Sequence, residues 1–256
     1  MSAWIPGWGP NHRESTDASP NAVFVTTHWS VVLAAKDKSS PESDQALEAL
    51  CRTYWYPLYV FVRRQGHQPA DAQDLVQEFF ARLLQKDYLQ SVERERGRFR
   101  TFLIMVLKRF LANEWDRARA QKRGSGQTPL PLDVELAESR FQEEASVDMA
   151  ADLAFDRHWG VALLDQALEQ VRSEHERQGK GCEFEHLRQY LTVDRETIPY
   201  LEVAGQLGQS EAAVKMAVHR LRRRYRAVFR ELIAQTVATP GDVEAEMRHL
   251  LQVLSQ

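Results

Sequence analysis

Between residues 215 and 230 stand Lys215, Arg220, Arg222, Arg223, Arg224, Arg226 and Arg230, with no acidic residue among them. A second basic run, 94–123, sets ten lysines and arginines against Glu95, Glu114 and Asp116, a net of +7. Phe99, Phe102, Phe110 and Trp115 are interleaved with it. Guanidinium and ammonium groups hold phosphates, and aromatic faces stack on unpaired bases, so both runs suit a nucleic acid. Phe99, Phe102 and Phe110 fall on an apolar stripe and are assigned to a core; Trp115, at its edge, is open to base contact. A third surface has opposite chemistry: Asp71, Asp74, Gln77 and Glu78 share one face of a helix. That face repels DNA and is either solvated or an interface with a protein.

Catalytic and metal constellations are missing. No Gly-rich phosphate loop, nucleophile elbow or HExxH is present, so an enzyme is not expected. His175, Cys182 and His186 could meet around the break at Gly179 and Gly181, but their spacing matches no common zinc finger. Neither metal nor cofactor is expected. Cys51 and Cys182 lie far apart in the chain and suggest no disulfide framework, consistent with a reducing cytoplasm.

These groups must be positioned by helices. The apolar spacing is helical almost throughout, and strand signals are few. Residues 1–22 carry Pro6, Gly7, Gly9, Pro10 and Pro20 and read as a disordered tail, with no apolar block to make a signal peptide. A helix over 43–65 should kink at Pro57 and end at Gly66. Pro69 opens another, with Ala72, Val76, Phe79, Phe80 and Leu83 inward. Phe99, Phe102, Leu103, Val106, Leu107, Phe110 and Leu111 make the cleanest stripe in the chain. No run is long and apolar enough to cross a membrane.

The expected architecture is therefore all-α: two helical domains joined by an acidic linker. The first domain spans 23–123. The linker, 124–157, opens on Gly124-Ser-Gly-Gln-Thr-Pro129-Leu-Pro131, and its stretch 124–156 sets eight acidic residues against Arg140 alone. It reads as a solvated spacer or as a mimic of nucleic acid. The second domain spans 158–238 and begins near Trp159. Residues 239–256 close with Val243, Met247, Leu250, Leu251 and Leu254, a docking helix that either adds to the core or forms a short regulatory cap on the second domain.

Within the second domain, 200–221 has the form of a helix-turn-helix. Ala204 is small where the helices approach, and Gly208 tolerates positive φ at the turn. Ser210 caps the second helix, and Glu211 complements its dipole. Lys215, Met216, His219 and Arg220 are left off the core face, as a helix lying in the major groove requires. The overall charge of -3 averages over two basic surfaces and an acidic strap.

Three of these segments resemble a known family in the right order and separation. Ala70-Asp-Ala-Gln-Asp-Leu-Val-Gln-Glu-Phe-Phe80 looks like the core-binding helix of bacterial RNA polymerase sigma factors. Gly97-Arg-Phe-Arg-Thr-Phe-Leu103 through Asn113-Glu-Trp-Asp-Arg117 is similar to their promoter-melting segment, and the helix-turn-helix to their minus-thirty-five reader. The two-domain layout matches the extracytoplasmic-function (ECF) group. Val25-Thr-Thr-His-Trp-Ser-Val-Val32 and Ala234-Gln-Thr-Val237 look like its planctomycete-type branch.

The resemblance implies a cytoplasmic transcription initiation factor. Its partners would be core RNA polymerase (the β′ clamp helices and the β flap) and promoter DNA, both as duplex and as the melted nontemplate strand. An anti-sigma protein is a further possible partner. Asp71, Asp74, Gln77 and Glu78 would face polymerase, and the loop 91–98 would cradle a flipped base. Arg98, Arg100, Arg109, Asn113, Trp115, Asp116 and Arg117 would lie along the minus-ten element. Arg109 and Asn113 depart from the Asn and Asp that many ECF proteins carry there, so base preference does not carry over. Ser210, Lys215, Met216, His219 and Arg220 would meet the minus-thirty-five element, with Arg222, Arg223 and Arg224 on its backbone. The alternative is a helix-turn-helix repressor or activator, which has no use for the acidic helix.

Overall fold

The computed structural model describes residues 41–83, 98–120, 134–144, 149–192 and 198–255. The tail 1–22, the segment 25–32, the loop 91–97 and the linker's opening at 124–131 lie outside them. The described residues are helical, with no strand among them. In chain order the helices are α1 (Pro41–Arg64), α2 (Pro69–Leu83), α3 (Phe99–Ala120), α4 (Val134–Glu144), α5 (Ala151–Arg177), α6 (Gly181–Leu187), α7 (Gln189–Thr192), α8 (Tyr200–Leu207), α9 (Glu211–Ala234) and α10 (Val243–Leu254).

They divide into two compact units, one built from 41–162 with 234–246, the other from 163–233 with 247–255. In the first unit, α1 runs through Pro57 and ends at Gly66, whose φ of 93° lies where a side chain would be strained. Tyr54, Leu58, Phe61, Val76, Phe79, Phe80, Phe99, Leu103, Leu107 and Phe110 are buried together in its core. Phe79 and Phe110 have ring centroids 5.8 Å apart, which ties α2 to the inward stripe of α3.

Two expectations change here. The segment read as a spacer contains α4, whose Ala137 is buried. Glu138 of α4 accepts hydrogen bonds from Arg63 (2.7 and 2.9 Å) and from the Tyr59 hydroxyl (2.6 Å). Arg63 also lies over the Phe141 ring. Arg63 holds the Glu138 carboxyl below its ordinary pKa, with burial opposing and Tyr59 and Gln142 assisting. Trp159, expected to open the second domain, sits in the first unit's core and stacks on Tyr54 at 6.3 Å. The physical reason is common to both: these residues are recruited by α1, more than seventy positions away, and local periodicity does not see such partners.

The second unit packs Leu163, Ala167, Val171, Phe184, Val203, Val214, Val218, Leu221, Phe229, Ile233 and Leu250. At its turn Gly208 has φ 63°, and the following amide, Gln209 N–H, returns to the Ala204 carbonyl at 3.0 Å. Ser210 Oγ accepts from Ala213 N–H at 3.2 Å, satisfying one of the otherwise unpaired amides at the start of α9. Residues 243 to 246 of α10 belong to the first unit and its remainder to the second; Val243, Leu250 and Val253 are buried.

Candidate nucleic-acid interface

The acidic face is built by α2. Helical spacing puts Asp71, Asp74 and Glu78 on one side, because Ala72, Val76, Phe79 and Phe80 take the other into the core. Asp71 and Asp74 are exposed. Gln77 is half-buried, and its amide nitrogen has no hydrogen-bond partner among the described residues. Glu78 is less available: Arg82, one turn on, binds it at 2.7 Å and also binds Glu114 of α3 at 2.7 Å.

On α3 the expected DNA residues separate into two kinds. Arg109 and Asn113 are exposed, and Trp115 is 64% exposed, as a stacking platform must be. The side chains of Asp116 and Arg117 lie outside the described set. Met105, one turn before Arg109, is also exposed, though it was not among the residues expected at DNA. Its signal was available: an apolar side chain out of phase with the buried stripe.

Arg98 and Arg100 are placed otherwise. Arg100 is only 8% exposed. Its Nε donates to Glu246 Oε1 at 2.5 Å, and its Nη1 to Asp156 Oδ1 at 2.6 Å. Arg98 Nε lies 2.8 Å from the other oxygen of Glu246. The Glu246 side chain is fully buried between the two arginines. Burial works against the charge of Arg100, and the two carboxylates more than offset it, so the guanidinium is held protonated beyond its ordinary range. Two turns further along α3, Lys108 Nζ meets Asp152 Oδ1 at 2.7 Å, a solvent-exposed pair. Asp152 and Asp156 come from the stretch read as an acidic strap. Glu246 lies 146 positions from Arg100, a separation that local periodicity does not register.

The second unit repeats this division on α9. Alternation of Val214, Ala217, Val218 and Leu221 into the core turns Lys215, Met216, His219 and Arg220 outward, with Met216 56% exposed. Lys215 is steadied by Glu211 at 2.6 Å and lies over the Tyr200 ring. Arg223 is exposed as well. Arg222 and Arg224, expected on phosphate, are engaged within the unit. Arg222 donates twice to the Tyr190 carbonyl, at 2.7 and 3.0 Å. Arg224 makes a forked pair with Glu174 at 2.6 and 2.8 Å and reaches Glu231 at 3.1 Å. The Arg224 bond holds the Glu174 carboxyl below its ordinary range, against burial.

Of the metal candidates, Cys182 and His186 lie together, Sγ 3.9 Å from Nδ1. His175 Nδ1 bonds to the Val171 carbonyl and His186 Nδ1 to the Cys182 carbonyl, each at 2.8 Å. Among the described residues no group of three or more His, Cys, Asp or Glu is placed to hold an ion. No described helix is long and apolar enough to cross a membrane.

Residues 50–121 match the Sigma-70 region 2 family. The match takes in the acidic face of α2 and the whole of α3. It supports reading this stretch as the region 2 domain of a sigma factor. No match was found among curated proteins or among solved structures.

Proposed function

We propose that the chain is a two-domain sigma factor of the extracytoplasmic-function group, from its planctomycete-type branch, acting in the cytoplasm without catalytic activity of its own. The observation that carries the reading is the Sigma-70 region 2 match, which embraces an exposed acid pair on α2 and an exposed aromatic and basic row on α3. Asp71 and Asp74, with Gln77 and Glu78 beside them, face the β′ clamp helices. Arg109, Asn113 and Trp115 lie along the minus-ten element, where Trp115 stacks on an unpaired base. In the second unit the exposed set Lys215, Met216, His219, Arg220 and Arg223 enters the minus-thirty-five major groove.

Magnitudes require the polymerase. Opening about ten base pairs costs on the order of 14 kcal/mol, at ~1.4 kcal/mol per step. Stacking one or two captured bases returns only ~1–3 kcal/mol each. The chain alone therefore selects and captures, and core enzyme supplies the rest.

Co-purification with core RNA polymerase tests the reading. The wild-type chain should be retained, and Asp74→Ala, which removes an exposed charge without touching the core, should be lost while keeping its helical circular dichroism. Equal retention of both proteins would refute the assignment of α2 as the polymerase face.

A further inference from the structure

The start of α3 is an anion site that is already filled. Arg98 and Arg100 converge on one carboxylate: Arg98 Nε and Arg100 Nε take opposite oxygens of Glu246, at 2.8 and 2.5 Å. Arg100 divides its remaining donors between Asp156 Oδ1 and the far oxygen of Glu246. The backbone takes part too, since Phe99 N–H, at the helix start where amides lack an intrahelical acceptor, donates to the Thr236 carbonyl at 2.9 Å. Thr236 and Glu246 both belong to the segment Ala234–Glu246, which is part of the same compact unit as α3. Lys108 is covered in the same manner by Asp152. Three basic residues of the run 94–123 thus face carboxylates from elsewhere in their own unit, whereas Arg109, Asn113 and Trp115 are exposed.

Two arginines forked around a carboxylate, at a helix start, form the arrangement that binds a phosphodiester. Glu246 presents to Arg98 and Arg100 the two-oxygen face that a phosphodiester would present. We propose that Ala234–Glu246 is an autoinhibitory clamp, in which Glu246 stands in for a nucleic-acid phosphate on Arg98 and Arg100 and is displaced when single-stranded DNA binds along α3. This rests on the reading of α3 as the strand-binding helix. The clamp sets a threshold: a strand must displace Glu246 before it gains the two arginines, so free DNA is bound weakly.

The test is titration of the full chain with a fluorescein-labelled single-stranded DNA of mixed sequence, over a range of salt concentrations. It compares wild type, Glu246→Gln, and Glu246→Gln combined with Arg98→Ala and Arg100→Ala. With the competing carboxylate gone, Glu246→Gln should tighten binding on the order of tenfold near 0.1 M salt, a gain that shrinks as salt rises. The triple variant should lose that gain. Asp156→Asn frees one arm of Arg100 and keeps Glu246, so it serves if Glu246→Gln does not fold; it should tighten binding by a smaller factor. Unchanged or weaker binding by the folded variants would overturn the clamp, as would a gain that survives the removal of both arginines. Run-off transcription by wild type with core polymerase is measured alongside. Its failure strikes the sigma-factor reading, whereas failure of the strand-binding comparison alone strikes the clamp.

Discussion

Arg100 on α3 and Arg220 on α9 belong to basic runs that look alike in sequence, yet the fold treats them in opposite ways. Arg100 is buried against Glu246 and Asp156, while Arg220 projects from the second unit into solvent. The same contrast recurs within single helices: Arg109 against Arg100 on α3, and Arg220 and Arg223 against Arg222 and Arg224 on α9. Density of positive charge therefore locates a nucleic-acid surface only coarsely. What decides whether a given arginine is exposed in this state is whether a carboxylate or carbonyl from a distant segment has reached it.

The largest effect that can break this comparison is on stability. Arg100→Ala should cost about 3–5 kcal/mol, because it leaves the buried Glu246 carboxylate with less compensation, whereas Arg220→Ala should change stability by less than ~0.5 kcal/mol. Urea denaturation of the two variants measures both; equal and small losses would show that the Arg100 cluster is only superficially formed.

A pH effect of similar size is expected from the same unit. His158 is buried, packs edge-on to Tyr56, and has its pKa pushed down to about 4, first by burial and then by Arg140, Arg157 and Arg64. The unfolded chain binds this proton near pH 6.5 and the folded one does not. Stability is therefore complete above about pH 6.5 and is lost as pH falls toward 4, by about 3 kcal/mol in all. His158→Phe should flatten that part of the stability curve. An unchanged slope between pH 6.5 and 4.5 would mean that the imidazole is hydrated.

Smaller differences sharpen the comparison on α9. Arg224→Ala should lower stability by up to ~1 kcal/mol, because its pair with Glu174 is forked but half-exposed, and should hardly alter DNA affinity. The Lys215→Ala/Arg220→Ala variant should do the reverse, losing upstream-element binding by ~1–3 kcal/mol per contact with little change in melting temperature. Isothermal denaturation and fluorescence anisotropy on one set of proteins separate the two. A large affinity loss in Arg224→Ala would show that its ion pairs open on DNA.

Much of the local structure was legible in the sequence. Gly208, Ser210 and the phase of Val214, Ala217 and Leu221 set the turn and the buried side of α9, because each acts within one or two helical turns. The inward stripe of α3 was legible for the same reason. Long-range pairing was not. α4 is acidic and weakly amphipathic, and its docking depends on Arg63 and Tyr59; the Glu246 site depends on residues 146 positions away. Charge counting consequently placed Asp152 and Asp156 in a free strap, although they engage Lys108 and Arg100. It also offered Arg98, Arg100, Arg222 and Arg224 to DNA with no sign that each was already engaged.

The proposed programming of core RNA polymerase is tested by mapping transcript 5′ ends from a pool of genomic fragments transcribed by core enzyme with and without the chain. The wild-type chain should yield a discrete set of new 5′ ends, lost with Asp74→Ala and reduced with Lys215→Ala/Arg220→Ala. A pattern with the wild-type chain identical to that of core enzyme alone would contradict it.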